Sequence, residues 1–142
     1  MSSRKTVPLV EATVGYAADD AGIGVAYASI ATIANASPAL LRVPFQVRRY
    51  AGLSGREIGY AAVTAVATAL RDRKVRRVRF AVPDQELIHD LSERRALPQP
   101  LTLPYIRLGC AFNQFSQCDV VAGGNDDLSG RARAEVALHI AA

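Results

Sequence analysis

The feature that most constrains this chain is a change of period near residue 54. In SGREIGYAAVTAVATALRDRK, residues 54–74, Ile58, Ala61, Ala62, Ala65, Val66, Ala69 and Leu70 recur three and four residues apart, which puts them on one face of a long helix. The segment VRRVRFAV, 75–82, then alternates with a period of two. Val78, Phe80 and Val82 fall on one side of a strand, with Arg77, Arg79 and Ala81 on the other. The turn between helix and strand is very short, as expected when a helix carries the chain to a strand beside an earlier one. The small residues on the helix would let it lie close to a sheet.

Upstream of that switch the chain has strand character. LVEATVGYA at 9–17 and GIGVAYASI at 22–30 flank an acidic turn and form a hairpin candidate. ATIANASPALL, 31–41, carries Asn, Ser and Pro and is expected to be a loop, with ATI able to extend the second strand. RVPFQVRRYA, 42–51, is a third strand in which Pro44 argues for a start or an edge position. Downstream, PDQELIHDLSERR, 83–95, forms a second helix opened by Asp84. The Pro-rich ALPQPLTLP interrupts before a helix in YIRLGCAFNQF, 105–115, and CDVVAGG, 118–124, is a short last strand. NDDLSGRARAEVALHIAA, 125–142, closes the chain as a helix behind polar caps. The order is three antiparallel strands, helix, strand, helix, connection, strand, helix. That is an α/β pattern without internal repeats.

The 142 residues, half of them apolar, suit one core. A flexible lead over 1–8 and a single domain over 9–142 are expected. No apolar run reaches the roughly 18–20 residues a membrane span needs. The start, MSSRKTVPLVEA, lacks an apolar stretch followed by a small-residue cleavage site, so a cytoplasmic location is expected. Cys110 and Cys118 are too few for a disulfide framework and lack metal-ligand spacing, which leaves them as small core or half-buried residues.

The formal charge of +4 matters less than its arrangement, since clustered cations attract phosphate. Arg42, Arg48 and Arg49 flank the third strand, while Arg71, Arg73, Lys74, Arg76, Arg77 and Arg79 gather where the long helix hands over to its strand. Arg48, Arg49, Arg73, Lys74, Arg76 and Arg77 are the candidate nucleic-acid contacts.

Several carboxylates have structural readings. Ser54-Gly55-Arg56-Glu57 fits a capping box, Asp84 is placed to cap the second helix, and Glu135 stands four residues after Arg131 as a helical ion pair. Asp19 and Asp20 suit a turn. His89 and His139 lie on helices, Ser54, Ser92 and Ser129 lack a His and acid arrangement, and Gly123-Gly124-Asn125 lacks the Lys and Ser/Thr of a phosphate loop.

Four stretches carry a resemblance that spans residues 9 to 142. They are YAADDAGIGVAY, REIGYAAVTAVATALRDRKVRRVRF, Asp84-Gln85-Glu86-Leu87-Ile88 and Ala134-Glu135-Val136-Ala137, and together they resemble the ribonuclease H family. The resemblance implies a mixed five-stranded sheet with flanking helices, and hydrolysis of the RNA strand of an RNA/DNA hybrid by divalent ions, Mg²⁺ with Mn²⁺ as substitute, held by four carboxylates. The catalytic and metal positions that match are Glu57, Asp84 and Glu135. The first position, normally an aspartate, corresponds to Ala17 or, in another alignment, to Val14. Asp19, two residues beyond Ala17, could replace it if the strand carries it back to the same face. A catalytically inactive domain on the same fold is the alternative, either binding nucleic acid without cleavage or acting as an interaction module, with a sheet edge or the alanine-rich helix face as the surface for a homo-oligomer.

Overall fold

The computed structural model describes residues 7–32, 35–93 and 96–141. Residues 1–6, most of the flexible lead expected over 1–8, lie outside the described residues, as do Arg94 and Arg95 of the expected 83–95 helix. The chain runs β1 (Leu9–Ala18), β2 (Ile23–Thr32), β3 (Asn35–Gln46), α1 (Arg56–Asp72), β4 (Arg77–Val82), α2 (Gln85–Glu93), α3 (Thr102–Phe112), β5 (Gln117–Ala122) and α4 (Asp126–Ala141). One sheet holds all five strands in the order β3-β2-β1-β4-β5. β1 pairs antiparallel with β2 and β2 with β3, whereas β4 pairs parallel with both β1 and β5. This is the mixed α/β sheet expected from the element order.

Strand alternation divides the molecule into two layers around the sheet. Val10, Ala12 and Val14 of β1 and Val78, Phe80 and Val82 of β4 face the main core with Ala62, Val63, Val66 and Leu70 of α1. Leu101 and Leu108, before and within α3, close that core, and Phe80 stacks on Phe112. On the opposite face, Val25 and Tyr27 of β2 meet Leu128 and Ala132 of α4. α4 comes close enough to β1 that a Cβ on Gly15 would lie 2.5 Å from the Ser129 backbone nitrogen. Asn125 opens α4 by accepting hydrogen bonds from the Asp127 and Leu128 amides at 2.9 and 3.2 Å.

The hand-over from α1 to β4 is as short as its sequence implies. Lys74 turns with φ 64°, and the Val75 amide bonds the Leu70 carbonyl at 3.1 Å. The bounds of β3, α3 and β5 differ from expectation. β3 begins at Asn35 rather than 42 and ends at Gln46, so of the stretch expected as a loop over 31–41, Ala31 and Thr32 extend β2, Asn35 and Ala39 to Leu41 pair with it, and Ile33 and Ala34 lie outside the described residues. Asn, Ser and Pro signal turns locally, but at a sheet edge Pro44 stays in register opposite Val25, while the pairing shifts register near Pro38, between Ile30 and Thr32 of β2. Val47 then bonds the Gly22 carbonyl at 2.8 Å and the chain leaves the sheet. α3 starts at Thr102, inside the Pro-rich passage, because Pro104 occupies the third helical position, where the backbone has no intrahelical acceptor to reach. β5 stops at Ala122, before the two glycines. Cys110 is exposed on α3 and Cys118 is half-buried.

Candidate functional site

The carboxylates matched in sequence are distributed around the C-terminal ends of β1 and β4, the first turn of α1, the head of α2, and α4. Glu57 is fully buried in the first turn of α1. The capping box expected at Ser54 is not formed: Ser54 has φ 54°, Gly55 takes the cap position at φ 80°, and no side chain caps the helix. Glu57 instead accepts a hydrogen bond from the Tyr50 amide on Oε2 at 2.8 Å, with Arg49 Nε 3.6 Å from the same oxygen. Its Oε1 has no hydrogen-bond partner among the described residues.

Asp84 does cap its helix, taking the Glu86 and Leu87 amides on Oδ1 at 2.9 and 3.3 Å. Its Oδ2 and the Tyr16 hydroxyl lie 3.0 and 2.8 Å from the point where Gly59 of α1 would carry a Cβ. The phenol of Tyr16 therefore fills the space between β1, α1 and the head of α2, and glycine on α1 makes room for it. Burial first, and the Asp84 charge second, hold that phenol well above the usual tyrosine range.

Glu135 sits on the other face of the sheet. It accepts hydrogen bonds from the Tyr27 hydroxyl at 2.5 Å and from Arg42 Nε and Nη2 at 2.8 and 2.5 Å, so it ties α4 to β2 and β3. The Glu135 hydrogen bond is the main cause that raises the Tyr27 phenol above its ordinary value. The two candidates for the first carboxylate position also divide between the faces. Val14 is inside the main core, while Ala17 packs with the α4 cluster. β1 ends at Ala18, one residue short of Asp19, which turns its carboxylate onto the Ile23 amide at 2.9 Å. Among the described residues, no three His, Cys, Asp or Glu side chains come close enough to hold a metal ion together. The donor set does not fit a divalent-ion centre.

The basic residues separate into two groups. Arg48 and Arg49 precede the first turn of α1, while Arg73, Lys74 and Arg76 follow its last, and 17 residues of helix put roughly 25 Å between them. Arg49 works inside the fold, donating to the Asp19 carbonyl at 2.8 Å and lying 4.0 Å from Asp20. Arg77 donates to Gln117 and to the Val7 carbonyl, both at 2.9 Å. Arg48, Arg73, Lys74 and Arg76 are exposed, and Arg48 lies over the Tyr50 ring at 5.2 Å.

Sequence reasoning missed a buried polar group beside this region. Asp90 of α2, 1% exposed, accepts hydrogen bonds from Arg56 at 2.7 Å and from the Tyr60 hydroxyl at 2.5 Å, and so pins α2 to α1. The only signal was an acid on the apolar side of α2, between Leu87 and Leu91. Cavities flank α1 among the described residues. One of about 490 Å³ is bounded by Gly52, Ser54, Arg56, Asp84 and Pro98, and another, of about 510 Å³, opens between the end of β3, α1 and α3.

No family model matches the chain, and no curated protein is similar to it in sequence. Solved structures are similar in fold. Ribonuclease H1 from the halophilic archaeon Halobacterium salinarum superposes with a TM-score of 0.70 at 14% identity, covering 92% of this chain and 98% of that one. The N-terminal RNase H domain of a Mycobacterium tuberculosis protein gives 0.66 at 13% identity, with 94% and 99% covered. LC11-RNase H1, solved in complex with an RNA/DNA hybrid, gives 0.60 at 9% identity, with 88% and 91% covered. The chain has a ribonuclease H-like fold.

Proposed function

We propose that this chain is a ribonuclease H-fold domain that engages nucleic acid without cleaving it. The observation that carries the reading is the separate commitment of each matched carboxylate. Glu57 is held by Tyr50 and Arg49, Asp84 by the head of α2, Glu135 by Tyr27 and Arg42, and Asp19 by its own turn. Two-ion hydrolysis needs acidic oxygens that converge on one small volume. Here they lie on both faces of the sheet, and Tyr16 fills the gap beside Asp84.

Nucleic-acid engagement is supported by the exposed cations and by the hybrid complex of LC11-RNase H1. Arg48, Lys74, Arg76, Arg107 and Arg133 are exposed and have no acidic partner among the described residues. Unpaired cations on a chain of net charge +4 give phosphate affinity that falls steeply with salt. The interaction-module reading draws less support, because α1 commits Ala62, Val66 and Leu70 of its apolar face to the chain's own core.

The test combines binding with turnover. Affinity for an RNA/DNA hybrid should be measurable at low salt and fall log-linearly as salt rises, and the hybrid should stay intact with Mg²⁺ or Mn²⁺. Metal-dependent cleavage that disappears in both Glu57→Gln and Asp84→Asn would overturn the non-cleaving reading. A chain that binds no nucleic acid at low salt would overturn the reading altogether.

A further inference from the structure

The 510 Å³ groove between the end of β3, α1 and α3 has no part in holding the sheet together, and its chemistry is divided. Its floor and walls are mostly apolar, with Phe45, Tyr60, Ala61, Ala65, Leu103 and Pro104 among them and Gln46 and Thr64 as polar exceptions. Alanines at two positions four apart on α1 keep the floor low. Leu103 stands at the rim 54% exposed, a large apolar side chain left in water. Arg48 and Arg107 also line the groove, and neither has an acidic partner among the described residues. Arg48 lies over the ring of Tyr50, another lining residue, with Cζ 5.2 Å from the centroid, so the rim presents a cation paired with a ring.

An apolar cleft beneath two uncompensated guanidiniums selects a ligand that is flat and apolar at one end and anionic at the other. Glu57 lines the inner wall, where it faces Arg49 and the Tyr50 amide. The volume is that of an ordinary small-ligand site. We propose that the groove takes an unstacked base of a single-stranded nucleic acid, base inward and the adjoining phosphate against Arg48 and Arg107. This rests on the nucleic-acid reading above and sharpens it, because a duplex keeps its bases stacked inside and cannot supply one. A continuation of the strand has cations to follow. α3 leads from Arg107 down to Ser116, whose amide and hydroxyl bond the Arg76 carbonyl at 2.9 and 3.0 Å, beside the exposed Arg73 and Lys74. Stacking in such a site tolerates any base, so little sequence preference is expected.

The chain contains no tryptophan, so Leu103→Trp at the exposed rim makes a specific reporter. A short oligodeoxynucleotide should quench its fluorescence at low salt, an abasic strand of equal length and charge should bind roughly ten-fold or more weakly with little quenching, and Arg48→Gln with Arg107→Gln should weaken the normal strand by a similar factor. Affinity should be measured in parallel by an anisotropy assay on the chain without the reporter, to show that the tryptophan does not create the site. Equal affinity for normal and abasic strands, binding of a polyglutamate peptide in their place, or indifference to loss of both arginines would overturn the groove assignment. Retained hybrid binding in any of those cases would leave the broader reading standing, whereas loss of all nucleic-acid binding in the native chain would remove both.

Discussion

Arg49 shows how far a single side chain can depart from what its neighbourhood in sequence suggests. Within the run Arg48-Arg49 it has the look of a phosphate contact, yet it joins the β1–β2 turn, the connection after β3 and the first turn of α1 through Asp19, Asp20 and Glu57. Replacing it with methionine leaves the Glu57 carboxylate buried with only the Tyr50 amide. Breaking a buried pair in this way costs about 3 kcal/mol, the lower end of the usual range because Arg49 is 28% exposed and 3.6 Å away. In urea unfolding, Glu57→Gln should cost less, since an amide oxygen still accepts from Tyr50, and Arg49→Met should do little further harm in that background. Additive losses in the double variant would show that the two do not interact. Asp84 as a helix cap was legible because a cap is a local event. Glu57 was not, because its partner depends on how Ser54 and Gly55 turn, and two left-handed residues in succession redirect the helix start.

At the scale of elements, α1 and β4 were legible because their periodicity, 3.6 and then 2, comes from the burial each element undergoes. β3 was not, since an edge strand tolerates the residues that mark loops elsewhere. The fit of α1 against β1 is a further case that only packing reveals. Gly59 in a helix interior normally invites alanine, which gains about 1 kcal/mol of helix propensity. Here the new Cβ would lie 2.8 Å from the Tyr16 hydroxyl and 3.0 Å from Asp84 Oδ2. Gly59→Ala is therefore expected to destabilise by about 1–2 kcal/mol net, since overpacking costs of about 1–3 kcal/mol exceed the gain. Adding Tyr16→Phe removes the nearest atom and should recover part of the loss, as read from thermal midpoints. If Gly59→Ala stabilises the chain, Tyr16 is not held against α1.

For the whole molecule, two phenols, Tyr60 buried and Tyr16 half-buried, give a pH dependence with a definite sign. Burial raises Tyr16 and Tyr60 above the ordinary tyrosine value, with Asp84 adding to the first and the Asp90 hydrogen bond to the second. The folded chain thus holds these protons more tightly than the unfolded chain, whose tyrosines titrate near pH 10. Their contribution to stability is complete below pH about 10 and is lost as pH rises beyond it toward the folded-state values. The urea midpoint should therefore fall more steeply above pH about 10 in the native chain than in Tyr60→Phe, with tyrosinate absorbance of the folded chain lagging behind that of the unfolded chain. A parallel decline in both proteins would place the alkaline loss elsewhere. The overall architecture was legible because element order and connection length restrict the topology to very few choices. The site was legible only as a set of positions, because side chains that converge and side chains that diverge can share one chain order.

The central place of β1 also sets the order in which the molecule is completed as it is synthesised. β1, β2 and β3 follow one another and pair as neighbours, so they can assemble from contacts close in sequence. The other edge of β1, from Leu9 to Thr13, waits for β4, which emerges only after the whole of α1. Until then the newborn chain has two open borders of unequal risk. The outer one carries Pro38 and Pro44, while the inner one has no proline to interrupt its row of amides and carbonyls. A ribosome that stalls within α1 would therefore present the strand most able to recruit a stranger, and α1 itself is the nearest cover for its apolar face.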